Sequence, residues 1–479
     1  ALADTTFVSP SVSSKVKLMS LRKDLSSRGL EDVFARAQSN GDMAIKRLSD
    51  ALSAIDLVVL DRQRAALNED VVIDTSTISP PQLLDTSSTS STANSAALAC
   101  GEKALADNRV AIITVAGGQA SRLGFNGPKG AYPLGAVSGT SLFQMLAEQV
   151  ILLRDKYQCA LPWVIQTGPG NHDDTIAYFT ARNWFGMPAS SVHFVCQGTL
   201  PALNGQGEFM LTAPDELFSN PDGHGGVYRA IKRSGMIDSL RTQGVDVLYY
   251  CQVDNPLVFM SDPTFIGHHL LADAQMSVKV VEKTEASEKV GLVVENNGKV
   301  QCIEYSDISA ELQAQTADDG GLLYRAGNIA VHVYAINFFE EMAEAHLPLH
   351  LAPKTIKALA PGESIPSDVE GVKFETFVFD ALPLADRVVV QLADREFEFA
   401  PVKNRTGSDS AATSRAALST RAKQWLSSID RSCDYSDQQI ELSSSVISGP
   451  QDLIYRQQQI NDGHQQLACS CGNKLITLA

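Results

Sequence analysis

Several familiar signatures are missing from this chain of 479 residues. No Gly-x4-Gly-Lys-Ser/Thr occurs, so there is no Walker A loop, and without a Gly-x-Gly-x-x-Gly the dinucleotide fingerprint is absent as well. His-Glu-x-x-His and Gly-x-Ser-x-Gly are missing too, which argues against zincin and serine-hydrolase sites. Positive charge is scarce: 39 Lys and Arg face 55 Asp and Glu, for a net charge of −16. A polyanion-binding surface needs a basic field, so this balance argues against nucleic acid as a partner. The eight cysteines include no Cys-x-x-Cys pair and mostly sit in apolar runs. They read as buried, reduced thiols of a cytoplasmic protein. No stretch approaches the ~20 apolar residues of a membrane span. Ala1-Leu2-Ala3-Asp4 has neither the basic nor the apolar region of a signal peptide.

What is present is an ordinary globular composition, 44% hydrophobic and 20% charged. The length asks for more than one structural unit. Residues 14–72 carry helical periodicity, with breaks at Gly29 and Asn40-Gly41. Residues 74–95 hold Pro80-Pro81 and a Ser/Thr run and read as a loop. From about residue 109 strands and helices alternate. Val110–Ala116, Trp163–Thr167, Val192–Gln197 and Val245–Val253 read as strands, and Leu142–Leu153 and Gly226–Leu240 as helices. This order implies a largely parallel sheet covered on both sides. Val278–Glu282, Leu292–Glu295 and Val300–Tyr305 read as antiparallel, with Asn297-Gly298 in the hairpin turn. Ile329–Ile336 and Val388–Leu392 add strands, a helix follows near 410–428, and the last part reads as a small, β-rich unit.

The segment richest in chemistry follows the first of these strands. It runs Gly117-Gly118-Gln119-Ala120-Ser121-Arg122-Leu123-Gly124, and Gly127-Pro128-Lys129-Gly130 comes shortly after. Glycines behind a buried strand let backbone approach a ligand closely, and free N–H groups at a strand's carboxyl end cradle an anion. Arg122 can grip phosphate oxygens as a planar fork, and Lys129 adds a point charge that Pro128 stiffens. Downstream, Asp254 closes the most apolar strand, where open α/β sheets bind ligands. The side chain of Gln197, behind another strand, offers one donor and one acceptor.

The glycine-rich segment resembles the signature loop of sugar-nucleotide pyrophosphorylases. More narrowly, the chain resembles the eukaryotic UDP-N-acetylglucosamine pyrophosphorylase family from about residue 109 to residue 404. Ala120 and Ser121 stand where that family has Gly and Thr, and His224 where it has Asn. Arg405-Thr406-Gly407 follows Lys403-Asn404 where the family often has Ala-Asp-Ser. The resemblance implies a Rossmann-like α/β fold of the nucleotide-diphospho-sugar transferase type: a mixed, mostly parallel sheet with helices on both faces. A helical N-terminal unit (1–100), a central catalytic domain (101–386) and a small C-terminal unit (387–479) are expected. The implied substrates are UTP and an N-acetylhexosamine 1-phosphate, and the products a UDP-sugar and pyrophosphate. Oligomeric state is left open. Arg122, Lys129 and Lys403 would be catalytic, and Asp254 would hold Mg2+ (or Mn2+). Gly117, Gly118, Gln197, Gly223, His224, Gly291, Glu304, Asn328, Phe377 and Phe379 would bind substrate. Within these implications the sugar could also be GalNAc, glucose or galactose, and a non-catalytic binder of UDP-sugars is the more distant alternative.

Overall fold

A computed structural model describes residues 12–38, 40–69, 74–86, 92–360, 363, 365–429, 440–444, 452, 467–469 and 474–478. The chain divides into two units that are not consecutive stretches. One comprises Ala1–Val72, Thr199–His224 and Pro348–Phe377, the other Ile73–Gly198, Gly225–Leu347 and Val378–Ala479.

The larger unit is built on strands β1 (Val110–Val115), β2 (Trp163–Thr167), β3 (Val192–Cys196), β4 (Val247–Gln252), β5 (Met276–Glu282), β6 (Ala326–Ala335) and β7 (Val388–Leu392). Their order is β7-β5-β6-β4-β1-β2-β3, and Leu84–Asp85 lies outside β7. Neighbours run parallel throughout, except that β6 is antiparallel to both β4 and β5. Such a sheet is a mixed, mostly parallel α/β architecture, as expected.

The strand sequences account for this placement. Residues Val110–Thr114 of β1 and Val247–Cys251 of β4 are all buried, as a strand covered on both faces demands. Leu142, Phe143, Leu146 and Val150 of the helix Leu142–Tyr157 share a core with Val110 and Ile112 on one face. On the other face, the hydroxyl of Tyr228 in the helix Val227–Arg233 hydrogen-bonds that of Tyr334 of β6 at 3.0 Å. Burial relaxes at the strands' carboxyl ends: Val115 and Gln252 are half-buried and Cys196 is exposed.

The smaller unit packs the helices Val12–Ser26, Asp32–Gln38, Asp42–Ser53 and Leu57–Ala66 around Leu25, Phe34, Leu48 and Leu60. Leu203, Leu211 and Phe374 complete that core from distant parts of the chain. Gln63, fully buried on the last helix, donates to Pro201 O at 2.9 Å and ties the Thr199–His224 segment in place. An antiparallel hairpin, His350–Ala358 with Ser367–Glu375, belongs here too.

Several features depart from the sequence reading. The expected helix over Gly226–Leu240 is two, Val227–Arg233 and Met236–Thr242, because Gly235 adopts a left-handed φ of 74° between them. Residues 387–479 do not separate from the central domain, since β7 pairs with β5 inside the main sheet. Residues 1–100 are shared between the units, and the helix Thr92–Ala106 begins within the expected loop.

Candidate active site

The glycine-rich loop is held by an antiparallel contact between Gln119 and Pro128 and by Lys129 N donating to Gly118 O at 3.1 Å. Positive φ falls on Gly124 (73°) and Gly127 (148°). Ala120, the departure from the family pattern, has φ −93° and is buried. A glycine is therefore not required at position 120, and the alanine leaves the loop geometry intact.

Gly117 has a specific steric role. A Cβ there would lie 2.3 Å from Gln197 Oε1 and 3.2 Å from Gly168 N. Its hydrogen lets the Gln197 amide lie against the loop backbone. No atom outside the adjacent backbone comes within 4 Å of a Cβ built on Gly118, so that residue leaves open space. Arg122 sits exposed on the short helical turn Ser121–Leu123, without an ion pair among the described residues.

The Lys129 ammonium donates to Asp254 Oδ2 at 2.9 Å, and the two side chains are only 17% and 14% exposed. The limited exposure keeps water and salt from screening the pair. Burial opposes ionisation of Asp254, but the charges of Lys129 and Lys403 and the Lys129 hydrogen bond outweigh it. Its carboxyl is thereby held below the ordinary carboxylate value. Val402 N donates to Asp254 O at 2.8 Å, which brings the Lys403 segment to the end of β4. The three expected charges Lys129, Asp254 and Lys403 thus converge.

The sugar-side candidates form a second group in the same unit. Asn328 N donates to Gly291 O at 2.8 Å, and a Cβ on Gly291 would lie 2.8 Å from Cys302 Sγ and 3.4 Å from Glu304 Oε1. Asn328 Nδ2 reaches Cys302 Sγ at 3.5 Å. Gly291, Glu304 and Asn328 are therefore gathered around one thiol. Burial pushes that thiol well up, with the carboxylates of Glu304 and Asp380 adding to the effect, so Cys302 is a neutral packing group. Phe379 is buried in the helical turn Val378–Leu384, which packs on the strand Lys299–Ile303.

Gly223, His224 and Phe377 belong to the smaller unit. Phe377 and Phe379, two residues apart, thus fall in different units. The His224 ring stacks on Phe377 with centroids 5.0 Å apart, and His350 stacks on it at 3.9 Å. Gly223 has φ 84°, and a Cβ there would lie 2.3 Å from Thr376 O.

Three residues around these groups escaped the sequence reading. Asn171, fully buried, donates to Ala116 O at 2.9 Å and Gly118 O at 3.1 Å and accepts from Gly168 N at 2.8 Å. It staples the glycine-rich loop to the end of β2. The turn run Gly168-Pro169-Gly170-Asn171 behind a strand was the available signal. Asn255 donates to Glu398 O at 2.7 Å and accepts from Ala400 N at 3.2 Å, joining the chain beside Asp254 to the segment before Lys403. His350 carried no sequence signal at all.

The family model described as UTP–glucose-1-phosphate uridylyltransferase matches residues 60–446. The UDP-N-acetylglucosamine pyrophosphorylase of Saccharomyces cerevisiae is 38% identical over 341 residues, 68% of this chain and 71% of that protein. A crystal structure of a putative UDP-N-acetylglucosamine pyrophosphorylase from Entamoeba histolytica superposes with a TM-score of 0.72 at 28% identity, covering 79% of this chain and 96% of that one. The Trypanosoma brucei uridine diphosphate N-acetylglucosamine pyrophosphorylase shares the fold, with a TM-score of 0.79 at 22% identity over 95% of this chain and 97% of that one. With its match spanning both the glycine-rich loop and the Lys129–Asp254 pair, the chain belongs to the UTP–glucose-1-phosphate uridylyltransferase family.

Proposed function

We propose that this chain makes UDP-N-acetylglucosamine and pyrophosphate from UTP and N-acetylglucosamine 1-phosphate, and that it does so in the cytoplasm. The observation that carries the chemistry is the meeting of Lys129, Asp254 and the Lys403 segment beside the glycine-rich loop. The N-acetylglucosamine preference is supported by the name of the yeast relative.

The reaction is an in-line displacement. A phosphate oxygen of the sugar 1-phosphate attacks the α-phosphorus of UTP, the bond to the bridging oxygen breaks, and pyrophosphate leaves with that electron pair. Catalysis of this kind is positioning and charge stabilisation, so no enzyme nucleophile is needed. Arg122 and Lys129 hold the β- and γ-phosphates over the N–H groups of Gly117 and Gly118. Gln197 reads the uracil. Lys403 orients the attacking phosphate. Gly291, Glu304 and Asn328 hold the sugar, with Phe379 near the acetyl group.

Asp254 presents a single ionised carboxylate, and the described residues contain no cluster of three or more metal-ligating groups. That donor set fits a hard ion that draws most of its oxygens from phosphates and water, as Mg2+ does, or Mn2+ in its place. Bound there, it would neutralise phosphate charge as a Lewis acid. Pyrophosphate release from UTP and N-acetylglucosamine 1-phosphate under Mg2+ tests the proposal. A chain that binds UDP-N-acetylglucosamine yet releases no pyrophosphate is a binder, and the proposal fails.

A further inference from the structure

The segment that carries Lys129 continues into a tight turn. Tyr132 N donates to Lys129 O at 3.0 Å, Leu142 N donates to Tyr132 O at 3.2 Å, and Pro133 pairs with Ser141 across the turn. Leu134 N and Gly135 N both donate to Thr140 O, at 3.0 and 2.8 Å. The Lys129 backbone is also backed by the helix that follows, since a Cβ on Gly130 would fall 2.3 Å from the Phe143 ring. The turn at 135–140 and the placement of Lys129 are thus parts of one rigid piece.

That turn points two backbone N–H groups, on Val137 and Ser138, at one acceptor. The acceptor comes from about 300 residues away: the Glu441 carboxylate takes Val137 N at 2.7 Å and Ser138 N at 3.0 Å, and also the Ser138 hydroxyl. Glu441 is 8% exposed, so these charge-assisted bonds are shielded from water. Arg415 grips the same piece from the helix Ala411–Ile429, donating to Leu134 O at 2.8 Å and Pro133 O at 3.0 Å.

The strand that carries Glu441, Ile440–Leu442, has anchors of its own. Ile440 is buried against Ala422 and Leu426, and its N–H donates to Ser419 Oγ at 3.0 Å. Ser443 donates to Glu148 at 2.9 Å. A cavity of about 290 Å3 remains between this strand, the turn and the helix, lined in part by Gln144, Glu148, Arg421 and Trp425. The carboxylate is therefore not what seats the strand. It bridges a separately seated strand to the Lys129 turn.

We infer that Glu441 is a positioning residue for Lys129, fixing the 135–140 turn so that the Lys129 ammonium stands at the Asp254 carboxylate. The inference rests on the role proposed above for Lys129. Glu441→Ala should lower kcat by about tenfold or more, because small misplacements of a charge-stabilising group are costly. Glu441→Gln keeps one acceptor in the same space and should lose less, which also serves if the alanine variant unfolds. The decisive measurement is the double variant. In a Lys129→Ala background, adding Glu441→Ala should leave kcat unchanged, because the group it positions is gone. Multiplicative loss in the double variant, or wild-type turnover in Glu441→Ala, overturns the inference. Wild-type turnover in Lys129→Ala alone overturns instead the proposed role of Lys129.

Discussion

The ammonium of Lys129 stands 2.9 Å from the carboxylate of Asp254, two side chains separated by 125 positions in the chain. The cation proposed to grip phosphate and the carboxylate proposed to hold the metal are thus one ion pair.

Replacing the exposed cation, Arg122, should separate chemistry from folding. Lys129→Ala and Arg122→Ala should each lower turnover by about 100-fold or more, as loss of a preorganised charge does. Arg122 is exposed and makes no ion pair among the described residues, so its removal should change stability by no more than about 0.5 kcal/mol. Steady-state kinetics with urea unfolding checks both halves.

The pH dependence of the pair has a definite sign. Asp254 has a folded pKa below its ordinary value of 3.8. Such a group stabilises the native state above its unfolded pKa and loses that contribution as pH falls through the folded pKa. The stability gap between wild type and Asp254→Asn should therefore be full at neutral pH and shrink below about pH 4. Urea unfolding of the two proteins across pH 3 to 7 measures it, and a gap constant with pH contradicts the assignment.

Gly117→Ala should push the Gln197 amide from its place, because the added methyl would lie 2.3 Å from Gln197 Oε1. If Gln197 reads the base, KM for UTP should rise by about tenfold, the cost of one misdirected hydrogen bond, with a smaller effect on kcat. Ala120→Gly is the contrasting change: φ at that position is already negative, so restoring the family's glycine should bring no gain in turnover.

Lys279 is fully buried between two carboxylates, with Asp262 at 2.6 Å and Glu398 closer still. Burial opposes its charge, and Asp262 and Glu398 override that and hold its pKa above the ordinary lysine value. Lys279→Met would strand both carboxylates and should cost about 3 to 5 kcal/mol of stability. Because the Glu398 backbone also accepts from Asn255, activity should fall with it. Thermal unfolding compared with Lys279→Arg checks the first effect.

Much of the fold was legible because its strands are apolar runs, several of them buried on both faces. Trp163–Thr167 and Val388–Leu392 have the bounds that their apolar runs imply. The hairpin His350–Ala358 with Ser367–Glu375 was not legible, since its residues are largely exposed and carry no alternation. Gly235 breaks an apparent helix because a single αL residue interrupts hydrogen bonding without disturbing hydrophobic spacing. The two units were hidden because each is assembled from three separate stretches, a fact of tertiary contact alone. In the site, residue types with obvious chemistry, such as Arg122, Lys129 and Asp254, could be read one by one. Their pairing could not, nor could Asn171 and Asn255, whose amides act only through backbone that folding brings near.

Uridylyl transfer to an N-acetylated sugar phosphate is tested by comparing two acceptors. Pyrophosphate release from UTP under Mg2+ is measured with N-acetylglucosamine 1-phosphate and with glucose 1-phosphate. Release with the first is expected at a kcat/KM about 100-fold or more above the second, the scale of a site built for a group its rival lacks. Equal rates, a preference for glucose 1-phosphate, or no release with either would contradict it.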